Sequence, residues 1–475
     1  MSSETLRRGG LVVVAFSVLA LVTVGGCAGE AEAPTKPSSP PVATRSTMAP
    51  RAATIGVPFD FDAAGPGGVF TGGSNATLSY AVSFAPTANG LRAVQGRITG
   101  TPMSAGVVTA TIVATDATGA RATSDLPIAI FSDDLVAPNT STAFRYSDAS
   151  APLPAHFLSG PEASIKVDNM PVTNATSDAG AALGRVLFYD RRLSVNDRAS
   201  CATCHQQQFG FGDTARLSIG ATGQRTTRRS MGLSNVRFSP RGRMFWDERA
   251  PSLEEQVLQP IANPVELSSN VPNALIKIAA SSYYAPLFQA AFGSTEITSD
   301  RVARALAQFI RALVSSTSRY DQAFDASGVP DFASVMTEQE RAGLQLFNGA
   351  AGCARCHATN SFSADMARNN GGGSAAASDV GSGFGRFRPP SLRNIAVRSP
   401  FMHDGRFSEL GQVVEFYNSF VPDNPNLDSQ MRTANGTPER LNLSLAQRAE
   451  IAAFLRTLTD EAFLTNPKFA SPFAR

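Results

Sequence analysis

The chain has 475 residues, a formal net charge of +2, five cysteines, four histidines and one tryptophan. That length suits about three domains, and 43% hydrophobic residues are enough to build their cores. The near-neutral charge leaves no electrostatic footprint for nucleic acid as a partner.

Arg7 and Arg8 precede an apolar run from Leu11 to Val24, which has signal-peptide length and is too short to span a bilayer comfortably. It ends in Val24-Gly25-Gly26-Cys27, which resembles a bacterial lipobox, so residues 1–27 read as a lipoprotein signal with Cys27 as the lipidated residue. An ordinary secretory signal with an incidental cysteine is the alternative. Either reading exports the chain, and the lipobox reading places it on the periplasmic side of a bacterial membrane, held by a lipid anchor. Residues 28–53 carry Pro34, Pro37, Pro40, Pro41 and Pro50 among Ala, Ser and Thr, the composition of an extended tether.

Residues 54–132 hold neither cysteine nor histidine. Short β-branched runs (LSYAVSF, VVTATIVATD, LPIAIF) alternate with turn signals such as Asn89-Gly90, which predicts an all-β unit with hairpins. The segment ITGTPMSAGVVTATIVATDATGARATSDLPIAI resembles bacterial Ig-like repeats, implying an Ig-like sandwich that serves as a spacer or adhesion module. Residues 133–175 are rich in Pro, Ser and Asn and read as a linker, with His156 as a surface residue on it.

Helical periodicity follows. Leu183, Val186 and Leu187 share one face, and Val302, Leu306, Phe309, Ile310 and Leu313 form a longer stripe. Thr337 with Glu340, and Ser444 with Gln447, predict capping boxes ahead of two further helices. GGGSAAASDVGSGFG at 371–385 predicts a long loop.

Two motifs carry the chemistry: CATCH at 201–205 and CARCH at 353–357. In C-x-x-C-H two thiols add to the vinyl groups of one haem and the adjacent histidine reaches its iron. A shared zinc site gives no reason for a histidine to follow each pair directly, and a thioredoxin-like pair wants a βαβ context that is missing. The chain therefore reads as carrying two covalently bound haem c groups, through Cys201, Cys204 and His205 and through Cys353, Cys356 and His357. With Cys27 assigned to lipid, no cysteine is left for a disulfide. The expected fold is multidomain: the β-sandwich, then two mainly-α cytochrome c-type domains at 176–330 and 331–475. A carrier fills the sixth position of both irons, whereas a catalyst leaves one open.

Three stretches go further. LGRVLFYDRRLSVNDRASCATCHQQQFGFGD, FWDERAPSLEEQVLQPIANPVEL and FRPPSLRNIAVRSPFMHDGRFSELGQVVEFY resemble the bacterial di-haem cytochrome c peroxidase and MauG family across about 176–465. The resemblance implies a peroxidatic haem in the first half, an electron-transfer haem in the second, and a relay between them at Trp246. It implies a peroxide pocket of Gln256, Pro260 and Glu266, in which Glu266 moves the proton, Gln256 orients the peroxide and Pro260 narrows the distal side. Ala221 falls where classical members carry a distal histidine, which implies an open iron in the resting oxidised state. Tyr417 falls where the second haem takes its distal ligand, with Met402 and Met431 as competitors, while His403 is expected to hold a propionate or a carbonyl. Arg229 stands in for an asparagine of the family's interhaem calcium site, with Arg398 and Pro400 at its carbonyl positions, which puts calcium in doubt. Ala351 replaces a partner-facing tryptophan of MauG.

The implied function is reduction of hydrogen peroxide with electrons from a small cytochrome c or cupredoxin. The alternatives are a non-catalytic di-haem electron-transfer or docking lipoprotein, and a MauG-like oxidase of an organic or protein substrate.

Overall fold

The computed structural model describes residues 40–65, 69–72, 78–364, 366–372 and 379–474. The signal, Cys27 and the first part of the tether, 28–39, lie outside the described residues. So does the middle of the glycine-rich loop, 373–378, whose flanks are loop as expected.

The N-terminal module has two main sheets over one core, beside a short antiparallel pairing of Val42–Ala43 with Phe70–Thr71. β1 (Arg51–Thr54), β7 (Arg121–Phe131), β6 (Gly106–Thr115) and β3 (Ser79–Ala85) form a four-stranded sheet in that order, with β1 parallel to β7. β2 (Phe59–Asp62), β5 (Arg97–Gly100) and β4 (Leu91–Val94) form the second. Alternation explains the packing: Val108, Ala110, Ile112 and Ala114 of β6 point inward and meet Leu91 and Ile98 of the other sheet in one cluster. Two expectations are corrected. The last residues of the presumed tether belong to the sheet, because Arg51–Thr54 pairs with Ile128–Phe131. Asn89-Gly90 is not a hairpin turn. Both residues have positive φ (46° and 83°), but they carry the chain from β3 in one sheet to β4 in the other. Asn89 Oδ1 accepts from the Met103 and Ser104 amides, pinning that crossing. The hairpins turn at Gln95-Gly96 and at 116–120, where Asp116 Oδ1 accepts from the Thr118 and Ala120 amides.

The rest of the chain is helical, and its architecture repeats. α1 (Asp178–Tyr189) crosses α3 (Ser299–Arg311), and α4 (Glu338–Asn348) crosses α5 (Leu445–Arg456); Ala274 and Ile278 of α2 (Val271–Ala279) join the core of the first pair. The stripe Val302, Leu306, Phe309, Ile310 and Leu313 is buried as predicted, and both capping boxes form. Each crossing is closed by glycine. A Cβ on Gly184 would run into the Ala305 carbonyl, and one on Gly343 into the Glu450 carbonyl. Gly184→Ala and Gly343→Ala should therefore each destabilise the protein by about 1–3 kcal/mol, read as a lowered Tm. An unchanged Tm in both would show that the crossings tolerate separation.

The repetition extends to the connecting turns. Asn235 and Asn394 sit in the left-handed region at φ 60° and 59°. Their amides donate to Leu313 O and Leu458 O, both at 2.9 Å, and their Oδ1 atoms accept from the Ser315 and Asp460 amides. One device thus closes both halves.

The stretch 133–175 is packed rather than extended. Asp178 Oδ1 accepts from the Tyr146 and Ser147 amides, and Arg237 pairs with Asp148 and Asp168. His156 is not a surface residue. It is 3% exposed, its Nε2 lies 2.9 Å from Asp321 Oδ1, and its ring stacks on Phe324. The physical reason is a carboxylate already shared with Arg393 and Ser318, which offers the imidazole a buried partner. The β module docks at the loop before the first haem motif. There the Ser132 amide donates to Asp197, which pairs with Lys277 of α2, and Arg192 lies over the Phe131 ring.

Candidate functional site: two cavities and the seam between them

Each C-x-x-C-H motif faces a cavity of its own. The N-terminal cavity, about 640 Å³, takes in Cys201, Cys204 and His205; the C-terminal one, about 250 Å³, takes in Cys353, Cys356 and His357. Each histidine is fixed the same way. His205 Nδ1 lies 2.9 Å from Phe211 O, and His357 Nδ1 lies 3.1 Å from Phe362 O. Both phenylalanines adopt a left-handed backbone (φ 58° and 52°) that turns the carbonyl toward the ring. Such a bond puts the proton on Nδ1 and leaves Nε2 free to bind a metal. Burial lowers both imidazole pKa values, His357 to about 4, so the neutral ligand form prevails. Burial raises the thiols of Cys201 and Cys353 to about 12 and that of Cys204 to about 11.

Gln256, Pro260 and Glu266 line the N-terminal cavity together. Gln256 ends the helix Leu253–Gln256 and Pro260 lies in the next, Gln259–Ala262. Glu266 follows on a turn built by Asn263, whose Oδ1 accepts from the Val265 amide and whose Nδ2 donates to Glu266 Oε1 at 2.6 Å. Burial raises the Glu266 carboxyl above the usual glutamate range, against the opposing pull of that bond and of Arg249. Ala221 itself sits behind this wall, its amide donating to Glu266 O at 2.7 Å. Its neighbour Gly220 comes so close to the Val265 and Glu266 carbonyls that a Cβ would displace them.

Trp246 lines both cavities. Its Nε1 donates to Arg229 O at 2.8 Å, its own carbonyl accepts from the Arg388 amide, and its ring meets His403 edge-on at 6.3 Å. His403 stacks on Phe387 at 3.6 Å and its carbonyl accepts from the Arg229 amide. On the far side of the C-terminal cavity Tyr417 stands in a π-helical turn, Phe416–Phe420, that continues the helix Leu410–Glu415. Asn370 Nδ2 donates to its phenol oxygen at 2.9 Å, and burial pushes the phenol up to about 12. Met402, Met431 and Ala351 line the same cavity.

Arg229, which stands where the family's calcium site has an asparagine, has its guanidinium engaged by backbone carbonyls. Arg229 donates through Nη2 to Arg398 O at 2.6 Å and through Nη1 to Ala215 O at 3.1 Å. Among the described residues no cluster of three His, Cys, Asp or Glu side chains could hold a metal ion.

The cavities suit two haems. Paired thiols, a neutral histidine with a free Nε2 and walls that carry buried, unpartnered arginine Nε atoms are what a covalently held, carboxylate-bearing macrocycle needs. Comparison with known proteins agrees. The family model described as di-haem cytochrome c peroxidase matches residues 178–328. The methylamine utilization protein MauG of Methylorubrum extorquens is 35% identical over 311 residues, covering 63% of this chain and 83% of that protein. The chain belongs to the di-haem cytochrome c peroxidase and MauG family. The family's peroxidase branch is similar too. Cytochrome c551 peroxidase of Nitrosomonas europaea is 30% identical over 303 residues, 62% of this chain and 82% of that protein. A solved MauG-like protein associated with microbial copper homeostasis superposes with a TM-score of 0.54 at 30% identity, over 64% of this chain and 95% of that one. Membership brings two haem cofactors.

Asn263, Gly220 and the matched pair Asn235 and Asn394 are site-building residues that sequence reasoning missed. The Asn263-Pro264 dipeptide is a turn signature, and LSNVRF at 233–238 against LRNIAV at 392–397 is a weak internal repeat.

Proposed function

We propose that this protein reduces hydrogen peroxide at the haem of its N-terminal half, with electrons reaching it from the C-terminal haem past Trp246. The single observation that carries the reading is a buried carboxyl, Glu266, facing the cavity that holds Cys201, Cys204 and His205, with its pKa raised by burial. A haem held by Cys201, Cys204 and His205 would supply the electrons and a site for peroxide; the protein supplies the proton transfer. The proton must leave one peroxide oxygen and reach the other for the O–O bond to break heterolytically, and a positioned carboxylate does this. Asn263 aims the carboxyl, Pro260 narrows the wall, and Gln256 is the adjacent polar group available to orient the peroxide. With alanine at 221, no histidine other than His205 lines this cavity, which supports an open first iron at rest.

In this reading each helical half is a cytochrome c-type unit with covalently bound haem, Tyr417 would help hold the iron of the second haem, and the β module is an Ig-like sandwich. The donor is a small cytochrome or cupredoxin, and Cys27 anchors the exported chain by lipid. Among the described residues no helix is long and apolar enough to cross a membrane. One observation favours a second reading, oxidation of an organic or protein substrate: Tyr417 is the phenol in the second cavity, and an anionic oxygen ligand favours higher iron oxidation states.

The test is the optical spectrum of the untreated ferric protein followed by stopped-flow mixing with peroxide. The expected result is one high-spin haem that reacts without prior reduction. Two low-spin haems that ignore peroxide would reduce the protein to an electron carrier. A chelator should change neither spectrum nor rate, because Arg229 occupies the interhaem position; a loss reversed by added calcium would contradict this.

A further inference from the structure

Most buried arginines here meet an acid. Arg237 pairs with Asp148 and Asp168, Arg311 with Glu254, and Arg393 with Asp321. Three at the seam do not: among the described residues no carboxylate pairs with Arg229, Arg388 or Arg398, which are 5%, 6% and 4% exposed. Their contacts are neutral. Arg388 Nη1 donates to Arg243 O at 2.7 Å and reaches Met244 Sδ at 3.5 Å. Arg398 Nη2 donates to Ser391 O, and Arg229 donates to Ala215 O and Arg398 O. The Nε atoms of Arg388 and Arg398 are buried with no partner at all. Burial pulls the three guanidinium pKa values down to about 10, 10 and 9. Asp213 and Glu248 act on Arg229 and Arg388 only at longer range, with no ion pair formed. Buried charges without a partner in contact are strongly unfavourable, and all three arginines line the C-terminal cavity, which marks it as built for anions. Arg229 and Arg388 line both cavities, and Arg398 lines the second while lying across Gly232, which lines both.

We propose that Arg229, Arg388 and Arg398 form one carboxylate-binding site at the seam, whose ligands are propionate groups of the two haems. It rests on the two-haem reading of the cavities but not on peroxide chemistry. Guanidinium forks match carboxylates geometrically and stay charged in the interior. The cluster thereby supplies, from side chains, the positive charge that draws the two cofactors toward Trp246.

The experiment is an experimental structure of the full-length holoprotein from a chloride- and carboxylate-poor buffer, with haem counted on the same sample. A propionate oxygen within hydrogen-bond reach of Arg388 Nε or Arg398 Nε is the expected result. A free anion or water on both Nε atoms, with the propionates elsewhere, overturns the proposal and leaves the di-haem reading standing; fewer than two haems per chain sinks both. Redox titration supplies an independent readout. Arg388→Gln and Arg398→Gln should each shift a haem midpoint potential to more negative values, because a positive charge beside the carboxylate is gone. The Lys variants should restore most of the shift, and unshifted potentials in both Gln variants would refute the assignment.

Discussion

Glu266→Gln is expected to slow the reaction with peroxide by about 100-fold or more while leaving the resting spectrum unchanged. The substitution keeps shape and the hydrogen-bonding partner Asn263 but removes the group that accepts a proton. The pH profile is the sharper readout. Glu266 must be ionised to take the first proton, and burial has raised its pKa. The wild-type rate should therefore fall as pH drops through that raised value, and the Gln variant should lack this acid limb. A variant with both the native rate and the native acid limb would place the proton transfer elsewhere. Asn263→Ala should act in the same direction more weakly, because it frees the carboxyl without removing it.

The second large effect is on stability. Lys277 and Asp197 are both about 1% exposed and pair with one another, Lys277 also donating to Ser194 O at 2.9 Å. Burial opposes both charges, lowering the ammonium and raising the carboxyl. Breaking such a pair from one side leaves an uncompensated buried charge, so Lys277→Met should cost about 3–5 kcal/mol and lower Tm by on the order of 10 °C. The double change Lys277→Met with Asp197→Leu should recover much of the loss. If the single variant melts like the wild type, the pair is not what holds this corner. The effect reaches the site as well. Asp197 accepts from the Ser132 amide of the β module, and the preceding residue, Asn196, donates to Ala221 O on the wall behind Glu266. A melt followed at once by haem absorbance and by far-ultraviolet circular dichroism shows whether the distal wall and the β module loosen together.

The cofactor chemistry was legible because it is local. Two thiols and a histidine within five consecutive residues form a pattern that can be read without the rest of the chain, and the helical stripe follows from a 3.6-residue period. Lone turn signals and loop composition read less well. Asn89-Gly90 has the backbone of a hairpin turn, yet which sheet the next strand joins is settled by Leu91 and its neighbours finding the facing core. Composition made 133–175 a linker, although Asp178, Arg237 and Asp321 supply buried partners from distant positions and draw His156 inside.

By itself, then, the amino-acid order determined that there are two C-x-x-C-H motifs, that helices surround them, and that a β module precedes them, since each of these is written in short-range spacing. Only the tertiary structure decided that Glu266 and the first motif face one cavity, that Trp246 borders two, and that three unpaired arginines converge at the seam. Those are juxtapositions of residues tens to hundreds of positions apart, produced by helix crossings that glycine allows to close and by buried charges that must be met, and no local pattern encodes them.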